Sequence, residues 1–209
     1  MYVVDVGVKC PKCGVRFNSR QLPVLEDTGM RNSELRLTPA DGSERFEHFA
    51  VCTCPSCGKS DWANTFEVTY EQVSFSQQNL TAHLQYRTAA IEAERQGRDW
   101  FNVGLLYLYA AWCADDAMAF PQAREYRRHA VESFRKSLLD NSCPFQERMT
   151  IEYLIGEVLR RAAAYDDCKQ HFKEVIARLS SQYAFMARKL MRLAESQSSE
   201  PIPFDVSGT

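Results

Sequence analysis

The spacing of apolar residues changes character near residue 76 and divides the chain into two parts. Before that point, short stretches alternate between apolar and polar side chains, as in residues 35–37 (Leu-Arg-Leu) and 49–53 (Phe-Ala-Val-Cys-Thr). Alternation with a period of two is typical of half-buried β-strands. We therefore predict that residues 1–75 form a small β-rich module.

The second part has the spacing of amphipathic helices, with apolar residues three and four positions apart and few glycines or prolines. We predict six helices, near residues 77–96, 99–116, 121–140, 145–164, 167–181 and 183–196. The connections between them are short, so neighbouring helices should run antiparallel. The segment from Trp100 to Trp112 is apolar nearly all round, which indicates a central helix covered on several sides.

The last stretch, residues 198–209, contains Pro201 and Pro203 and has no helical period. We expect a flexible tail there, because chain ends without regular structure are seldom held in place. The predicted fold class is thus α+β, in which a β-rich module over 1–75 precedes an all-α array over 76–197.

Two near-identical pentapeptides stand out in the first part, CPKCG at residues 10–14 and CPSCG at residues 54–58. Two residues between paired cysteines allow one tight turn to direct both sulfur atoms at the same metal ion. Proline presets that turn, and glycine allows the positive backbone angle that follows it. The pattern predicts a zinc-ribbon-like site with four ligands, Cys10, Cys13, Cys54 and Cys57.

Four thiolates complete the tetrahedral shell of zinc and leave no position for water, so the ion should stabilise structure without activating a nucleophile. A small module with few core residues should depend on that ion for folding. The pentapeptides also resemble the iron site of rubredoxins, and thiolates accept either metal, so an iron electron carrier is an alternative. Cys52 could replace a ligand if the register were shifted, but we favour a buried core thiol.

The remaining cysteines and histidines lack the spacing of metal ligands. We expect Cys113, Cys143 and Cys168 to be inert core thiols, and among them Cys143, just before Pro144, is the one candidate for a reactive cysteine. His48 lies close to the second pentapeptide, where we expect a partly exposed histidine at the start of a strand.

Residues 150–179 fit the tetratricopeptide repeat, a helix-turn-helix unit whose helices meet at small residues. If Gly156 is the small residue of the first helix, the small, aromatic and small positions of the second helix fall on Cys168, Phe172 and Val175. The turn should then lie at residues 165–167. Residues 101–140 have a similar design, with Ala130, Phe134 and Ser137 at the same spacing. An unrelated helical bundle is the alternative.

The chain of 209 residues carries 25 basic and 27 acidic residues, which gives a formal charge of -2. Such a balance lacks the positive field that drives nonspecific nucleic-acid binding. Residues 1–8 have neither the basic nor the long apolar region of a signal peptide, and the longest apolar stretch, 103–114, is too short to span a bilayer. We expect a cytoplasmic protein without membrane association, whose cysteines stay reduced.

The two pentapeptides, the segment 49–53 before the second one, and the helix that contains Trp112 together resemble a bacterial family of domains of unknown function. Its members pair an N-terminal zinc-ribbon-like module with tetratricopeptide-like helices. The resemblance covers roughly residues 7–180, although Cys52 and Trp62 depart from the family's pattern. It implies a bacterial cytosolic protein with metal at the four paired cysteines, and it implies no reaction.

The sequence contains no acid-base or nucleophile constellation that we can identify, so we do not expect an enzyme or a small-molecule substrate. Our leading hypothesis is a noncatalytic adaptor whose helical array binds a protein or peptide partner. The alternative is nucleic-acid binding, supported by basic residues around the pentapeptides, namely Lys9, Lys12, Arg16, Arg20 and Lys59. A second basic group should form a solvated helix face, with Arg124, Arg127, Arg128, Arg135 and Lys136.

Overall fold

The computed structural model describes residues 3–21, 29–39, 44–69 and 80–205. Strands occupy the first part of the chain and helices the second, which confirms the predicted α+β class. The strands are Val4–Lys9 (β1), Arg16–Gln21 (β2), Gly29–Arg31 (β3), Leu37–Pro39 (β4), Val51–Thr53 (β5), Ser60–Trp62 (β6) and Glu67–Thr69 (β7). The helices are Ala82–Arg95 (α1), Trp100–Asp116 (α2), Phe120–Leu139 (α3), Arg148–Arg161 (α4), Tyr165–Val175 (α5) and Ser181–Glu195 (α6).

Within residues 80–205, all six predicted helices occur, and each packs against the next one along the chain. The predicted central helix is α2, which is buried along most of its length between α1 and α3. It begins after Asp99, whose carboxylate accepts a hydrogen bond from the Asn102 amide over 2.9 Å and so caps the helix. The first predicted helix begins at Ala82, and residues 77–79 of that prediction lie outside the described residues.

None of the helices in the described ranges is both long enough and apolar enough to cross a membrane. The predicted boundary between residues 75 and 76 falls outside the residues that the structure describes.

The turn between α4 and α5 differs from its predicted position at residues 165–167. The chain reverses at residues 162–164, where Ala163 has a φ of 62°, and Tyr165 already begins α5. Asp166 and Asp167 therefore lie in the first turn of the helix. Aspartates are common in turns, but carboxylates also stabilise a helix N-terminus through its dipole, and here the second tendency prevails.

The strands form three small antiparallel units. Strand β1 lies between β2 and β7, β5 pairs with β6, and β3 pairs with β4. A small core lies beside the first two units, where the Phe17 and Phe66 rings meet edge to face at 5.9 Å near Val8 and Cys52. We call residues 3–21 and 46–69, which hold strands β1, β2, β5, β6 and β7 and both pentapeptides, the cysteine module.

The two predicted strand segments are shorter than expected. In 35–37 only Leu37 belongs to a strand, since Leu35 has a φ of 60° and Arg36 turns inward. The Arg36 guanidinium donates to the Trp112 carbonyl over 3.2 Å and is held by Asp116. In 49–53 the strand covers the last three residues, because a 3-10 turn precedes it.

The cysteine module packs against the helices. The Trp62 ring of β6 meets Tyr86 of α1 at 5.8 Å and Tyr109 of α2 at 5.6 Å, in both cases edge to face. The Thr53 hydroxyl donates to the Gln85 side chain over 3.2 Å. Aromatic and polar contacts thus fix β5 and β6 to the helices, so the module has a defined position on the array.

Hairpin β3–β4 belongs to the first part of the chain but is tied to the helices by buried charges. Glu34 pairs with Arg127 of α3 at 2.7 Å and with Arg161 of α4 at 3.2 Å, and both arginines also pair with Asp115. Burial alone would raise the pKa of Glu34, but the two guanidinium groups lower it to about 2. The prediction that Arg127 lies on a solvated face is therefore wrong, because its partners lie far away in the sequence.

The predicted flexible tail differs from the structure over residues 198–205. Arg160 of α4 donates to the Ser198 carbonyl over 2.6 Å and to the Glu200 carbonyl over 2.9 Å. Pro203 forms a bridge with Asn32 at the edge of hairpin β3–β4. Residues 198–205 are thus held on the surface of the helices, and residues 206–209 lie outside the described part of the chain.

Candidate metal centre

The two pentapeptides fold into the same tight turn, which we call the first and second cysteine turns. In the first, the Gly14 amide donates to the Cys10 carbonyl over 2.9 Å, and Gly14 has a φ of 75°. In the second, the Gly58 amide donates to the Cys54 carbonyl over 3.1 Å, and Gly58 has a φ of 70°. Glycine has no Cβ atom and adopts this left-handed conformation at the lowest cost, which explains its place after each cysteine pair.

The cysteine turns follow β1 and β5, and the packing of the module brings them face to face. The sulfur atoms of Cys10, Cys13, Cys54 and Cys57 all lie within 4.8 Å of one another. The Cys10 and Cys57 sulfurs are 3.7 Å apart, and those of Cys13 and Cys54 are 3.6 Å apart. The structure therefore brings the four predicted ligands together.

These distances fit a tetrahedral metal site. Two bonds of about 2.3 Å to one zinc ion place tetrahedral sulfurs about 3.8 Å apart. The two distances above, each from a sulfur of the first turn to a sulfur of the second, are close to this value. A disulfide would require about 2.0 Å. The set of four sulfurs thus has the size and the donor type to hold one divalent ion, and thiolates suit zinc or iron.

The four thiols differ in exposure and in acidity. Cys10 and Cys54 are buried, Cys57 is half-buried and Cys13 is exposed. A hydrogen bond from the Val15 amide lowers the pKa of Cys13 to about 7, whereas burial raises the pKa of Cys54 to about 12. Because a metal ion binds thiolates, its binding must displace protons and should strengthen as the pH rises.

Cys52 lies outside this group, as the favoured interpretation expected. It is fully buried in the small core of the cysteine module. Burial raises the pKa of its thiol to about 11, so it remains protonated at neutral pH. Among the described residues, the four paired cysteines form the one cluster of potential metal ligands.

His48 ends a 3-10 turn, so its predicted place at the start of a strand is wrong. It is partly exposed as expected, and its Nε2 lies 2.8 Å from an Asp116 carboxylate oxygen. Asp116 also binds Arg36 and Arg45. His48 thus helps to attach the cysteine module to α2.

The three cysteines of the helical part are buried, as predicted. Burial raises the pKa of each thiol, including that of Cys143, the candidate for a reactive cysteine. A thiol with a raised pKa is a poor nucleophile. Their burial and raised pKa values therefore indicate that Cys113, Cys143 and Cys168 are core residues.

Two of the five basic residues around the cysteine turns, Lys9 and Lys59, pair with carboxylates. Lys59 is 8% exposed and lies 3.1 Å from Asp61 and 3.6 Å from Glu92. Lys9 lies 3.4 Å from Glu67. Charges that are buried or neutralised in this way are poorly placed to contact phosphates.

Sequence reasoning missed an aromatic cleft of about 570 Å³ where the cysteine module meets α2. Its walls include Phe46, Trp62 and Tyr109, and the Phe46 and Trp62 rings meet Tyr109 edge to face at 5.7 and 5.6 Å. Val68 is also part of the lining and is 52% exposed. The density of aromatic residues between positions 46 and 66 was the available signal, but their convergence depends on tertiary packing.

The chain matches the model of a bacterial family over residues 3–200. That family is described as "Uncharacterized protein conserved in bacteria (DUF2225)". No curated protein and no solved structure matches the chain. Since the match covers nearly the whole sequence, the chain belongs to the DUF2225 family.

Proposed function

We propose that this DUF2225 protein binds structural zinc in a ribbon-like module and acts as a noncatalytic adaptor for a protein partner. The four-cysteine cluster supports the structural role of the ion, because four thiolates fill a tetrahedral shell and leave no site for substrate or water. The contacts of the module with α1 and α2 support a single scaffold, in which the ion fixes one wall of the aromatic cleft.

The observation that carries the adaptor role is this open cleft, with walls of partly exposed aromatic rings. Aromatic side chains are enriched at the centres of protein interfaces, since they bury much area at low entropic cost. Here Phe46 and Trp62 come from the cysteine module and Tyr109 from α2. A partner in the cleft would therefore contact both parts of the chain.

The helix contacts support a tetratricopeptide-like scaffold, a type that commonly presents binding surfaces. A Cβ atom at Gly156 of α4 would lie 2.4 Å from the Phe172 ring of α5. Likewise, a Cβ atom at Gly104 of α2 would lie 2.4 Å from the Phe134 ring of α3. Two successive helix pairs thus pack an aromatic ring against a glycine, as expected of a repeated unit.

The paired state of Lys9 and Lys59 favours the adaptor over the nucleic-acid alternative. The test uses Val68→Glu, which places a charge in the lining of the cleft at an exposed position. Leu139→Glu is the matched control, because Leu139 is 83% exposed on α3 and is not among the cleft residues. The purified full-length wild type, Val68→Glu and Leu139→Glu proteins are immobilised and exposed to a bacterial lysate. Each captured protein is then purified, and its affinity for each of the three proteins is measured.

The adaptor proposal expects a partner that binds the wild type and Leu139→Glu equally and binds Val68→Glu at least about tenfold more weakly, since a buried unpaired charge is costly. Identical binding by all three proteins would refute the cleft as the docking site. Salt-sensitive retention of nucleic acid would instead support the alternative.

The identity of the metal is tested separately, by elemental analysis and a visible spectrum of the purified protein. We expect one zinc per chain and no colour, with the metal lost in a Cys10→Ser and Cys54→Ser double variant. Iron with visible absorption would support the electron-carrier alternative.

A further inference from the structure

Residues 202–204 of the segment 198–205 lie antiparallel beside residues 31–33, where β3 ends, and pair through one β-bridge between Asn32 and Pro203. The Ser33 amide donates to the Ile202 carbonyl over 2.7 Å, and the Phe204 amide donates to the Arg31 carbonyl over 2.8 Å. The Ile202 amide donates to the Ser33 hydroxyl over 3.2 Å. These bonds use the main chain of the segment, so they would accept any extended peptide.

The side chains of residues 201–205 alternate between solvent and the helices. Ile202 and Phe204 are partly buried against the helical core, whereas Pro201 and Pro203 are exposed. The Phe204 ring meets the rings of Tyr153 and Tyr183 edge to face, each at 5.8 Å. The side chains of Ile202 and Phe204 thus anchor the segment on the helices.

The surface beneath the segment is held together without it. Glu157 and Arg160 of α4 are fully buried and pair at 2.7 Å. The Ser33 hydroxyl donates to Glu157 over 2.5 Å, and the Tyr153 hydroxyl donates to the Ser33 carbonyl over 2.9 Å. Buried ion pairs add little net stability, but these contacts fix the hairpin to α4 and so preorganise a groove.

Two arginines of α4 recognise the backbone that enters this groove. Arg160 donates to the carbonyls of Ser198 and Glu200, and Arg161 donates to the carbonyl of Ser199. Three successive carbonyls are therefore bound by guanidinium groups whose own positions are set by Glu157 and Glu34. The arrangement fixes the direction of a bound strand without reading its side chains.

We propose that the groove between hairpin β3–β4 and helices α4 and α6 is a peptide-docking site, which residues 198–205 fill as an intramolecular ligand. Its partner is a protein with an extended segment that carries an aliphatic and an aromatic residue two positions apart, separated by proline. This inference rests on the proposed adaptor function and adds a second docking site. The chain's own segment competes with the partner, because tethering gives it a high effective concentration.

The test uses full-length protein and a fluorescent peptide with the sequence of residues 198–205, Ser-Ser-Glu-Pro-Ile-Pro-Phe-Asp, and binding is followed by anisotropy. Phe204→Ala weakens the intramolecular ligand and should raise the affinity for the peptide by at least about tenfold, since a half-buried aromatic contact is lost from the competitor. The matched control is Phe120→Ala, which removes a half-exposed aromatic ring from the start of α3. The control should bind the peptide as weakly as the wild type.

The groove itself is tested in the Phe204→Ala background. Addition of Tyr183→Ala should abolish the gain in affinity, and a peptide with alanine in place of its phenylalanine should not bind. Equal peptide binding by folded Phe204→Ala and wild-type proteins would overturn the proposal.

A second measurement uses the wild type alone and does not depend on the folding of any variant. Unlabelled peptide in excess should accelerate hydrogen exchange at the Phe204 amide, because the peptide captures the open groove, and should leave α4 amides unchanged. An exchange rate at Phe204 that the peptide does not alter would refute the intramolecular-ligand role. Such a failure would leave the cleft and its Val68→Glu test untouched, so the two proposals fail separately.

Discussion

The cysteine module and the helical array differ in what holds them together. Three of the six buried residues that form the core of the module are cysteines, and two of these belong to the candidate metal centre. The helical core is continuous from α1 to α6 and also takes in Val51 and Trp62 from the module. Apolar burial scales with core size, so the array can be stable by packing, whereas we expect the module to depend on a bound metal ion.

Glycine illustrates the same difference within one residue type. Gly14 and Gly58 adopt a left-handed backbone, with open space where a Cβ atom would lie. Gly104 and Gly156 have ordinary helical conformations but lie directly against aromatic rings. The module therefore uses glycine to make the tight turns of the candidate metal centre, and the array uses it to bring helices close together.

Loss of the metal site should have the largest effect, because it should destabilise the cysteine module and leave the helical array folded. In a Cys10→Ser and Cys54→Ser double variant, the module should lose on the order of ten kcal/mol of metal-binding free energy, and its strands should lose protection from hydrogen exchange. Helices α2 to α6 and hairpin β3–β4 should remain protected, because their contacts do not involve the cysteine turns. Cys143→Ser, at a buried thiol outside the cluster, is the control; simultaneous loss of protection everywhere in the double variant would show that the two regions unfold as one unit.

Buried ion pairs attach hairpin β3–β4 to the helical array, although the hairpin belongs to the first part of the chain. Arg127→Met should destabilise the protein by about 3–5 kcal/mol, because it leaves two carboxylates to share one arginine in a buried place. Arg128→Met changes an exposed neighbour on the same helix and should alter stability by less than about 0.5 kcal/mol. Urea unfolding measures both, and equal effects would mean that the network adds nothing to the attachment of the hairpin.

Acid should weaken the same attachment. Since the pKa of Glu34 falls from its ordinary 4.5 to about 2 on folding, its stabilisation is complete above the unfolded value and is lost as the pH falls towards the folded value. The loss should approach about 3 kcal/mol. Urea unfolding followed by the helical signal gives the free energy of unfolding between about pH 6 and pH 3. This free energy should depend less on pH in Glu34→Gln than in the wild type, and parallel curves would contradict the role of Glu34.

The smallest effects compare the two uses of glycine. Gly156→Ala should cost about 2 kcal/mol by overpacking, and Phe172→Leu in the same chain should recover part of the loss. Gly58→Ala should cost about 1 kcal/mol through backbone strain alone, with no rescue by a smaller neighbour. Thermal unfolding measures the stability of the wild type, the two single variants and the Gly156→Ala/Phe172→Leu double variant. A Gly156→Ala variant as stable as the wild type would show that α4 and α5 can move apart freely.

The features that the sequence predicted well depend on local spacing. A cysteine pair with two intervening residues closes a turn by itself, so four ligand candidates could be identified before any contact was known. The six helices followed from a periodicity that is expressed within each segment. The glycine and aromatic positions of residues 150–179 were also readable, because a helix fixes which residues share a face.

What only the tertiary structure decided concerns partners that are distant along the chain. Arg127 has the local surroundings of a surface arginine, yet Glu34, 93 positions earlier, makes it a buried residue. The proline-containing end lacks any regular period, yet hairpin β3–β4 and α4 provide the strand edge and the guanidinium groups that hold it. By itself the sequence determined the cysteine turns, the helices and the fold class, because these follow from local backbone geometry and periodic burial. The burial of charges, the docking of residues 198–205 and the aromatic cleft were decided by packing, because the free energy of a charge or an open strand edge depends on which distant groups come to satisfy it.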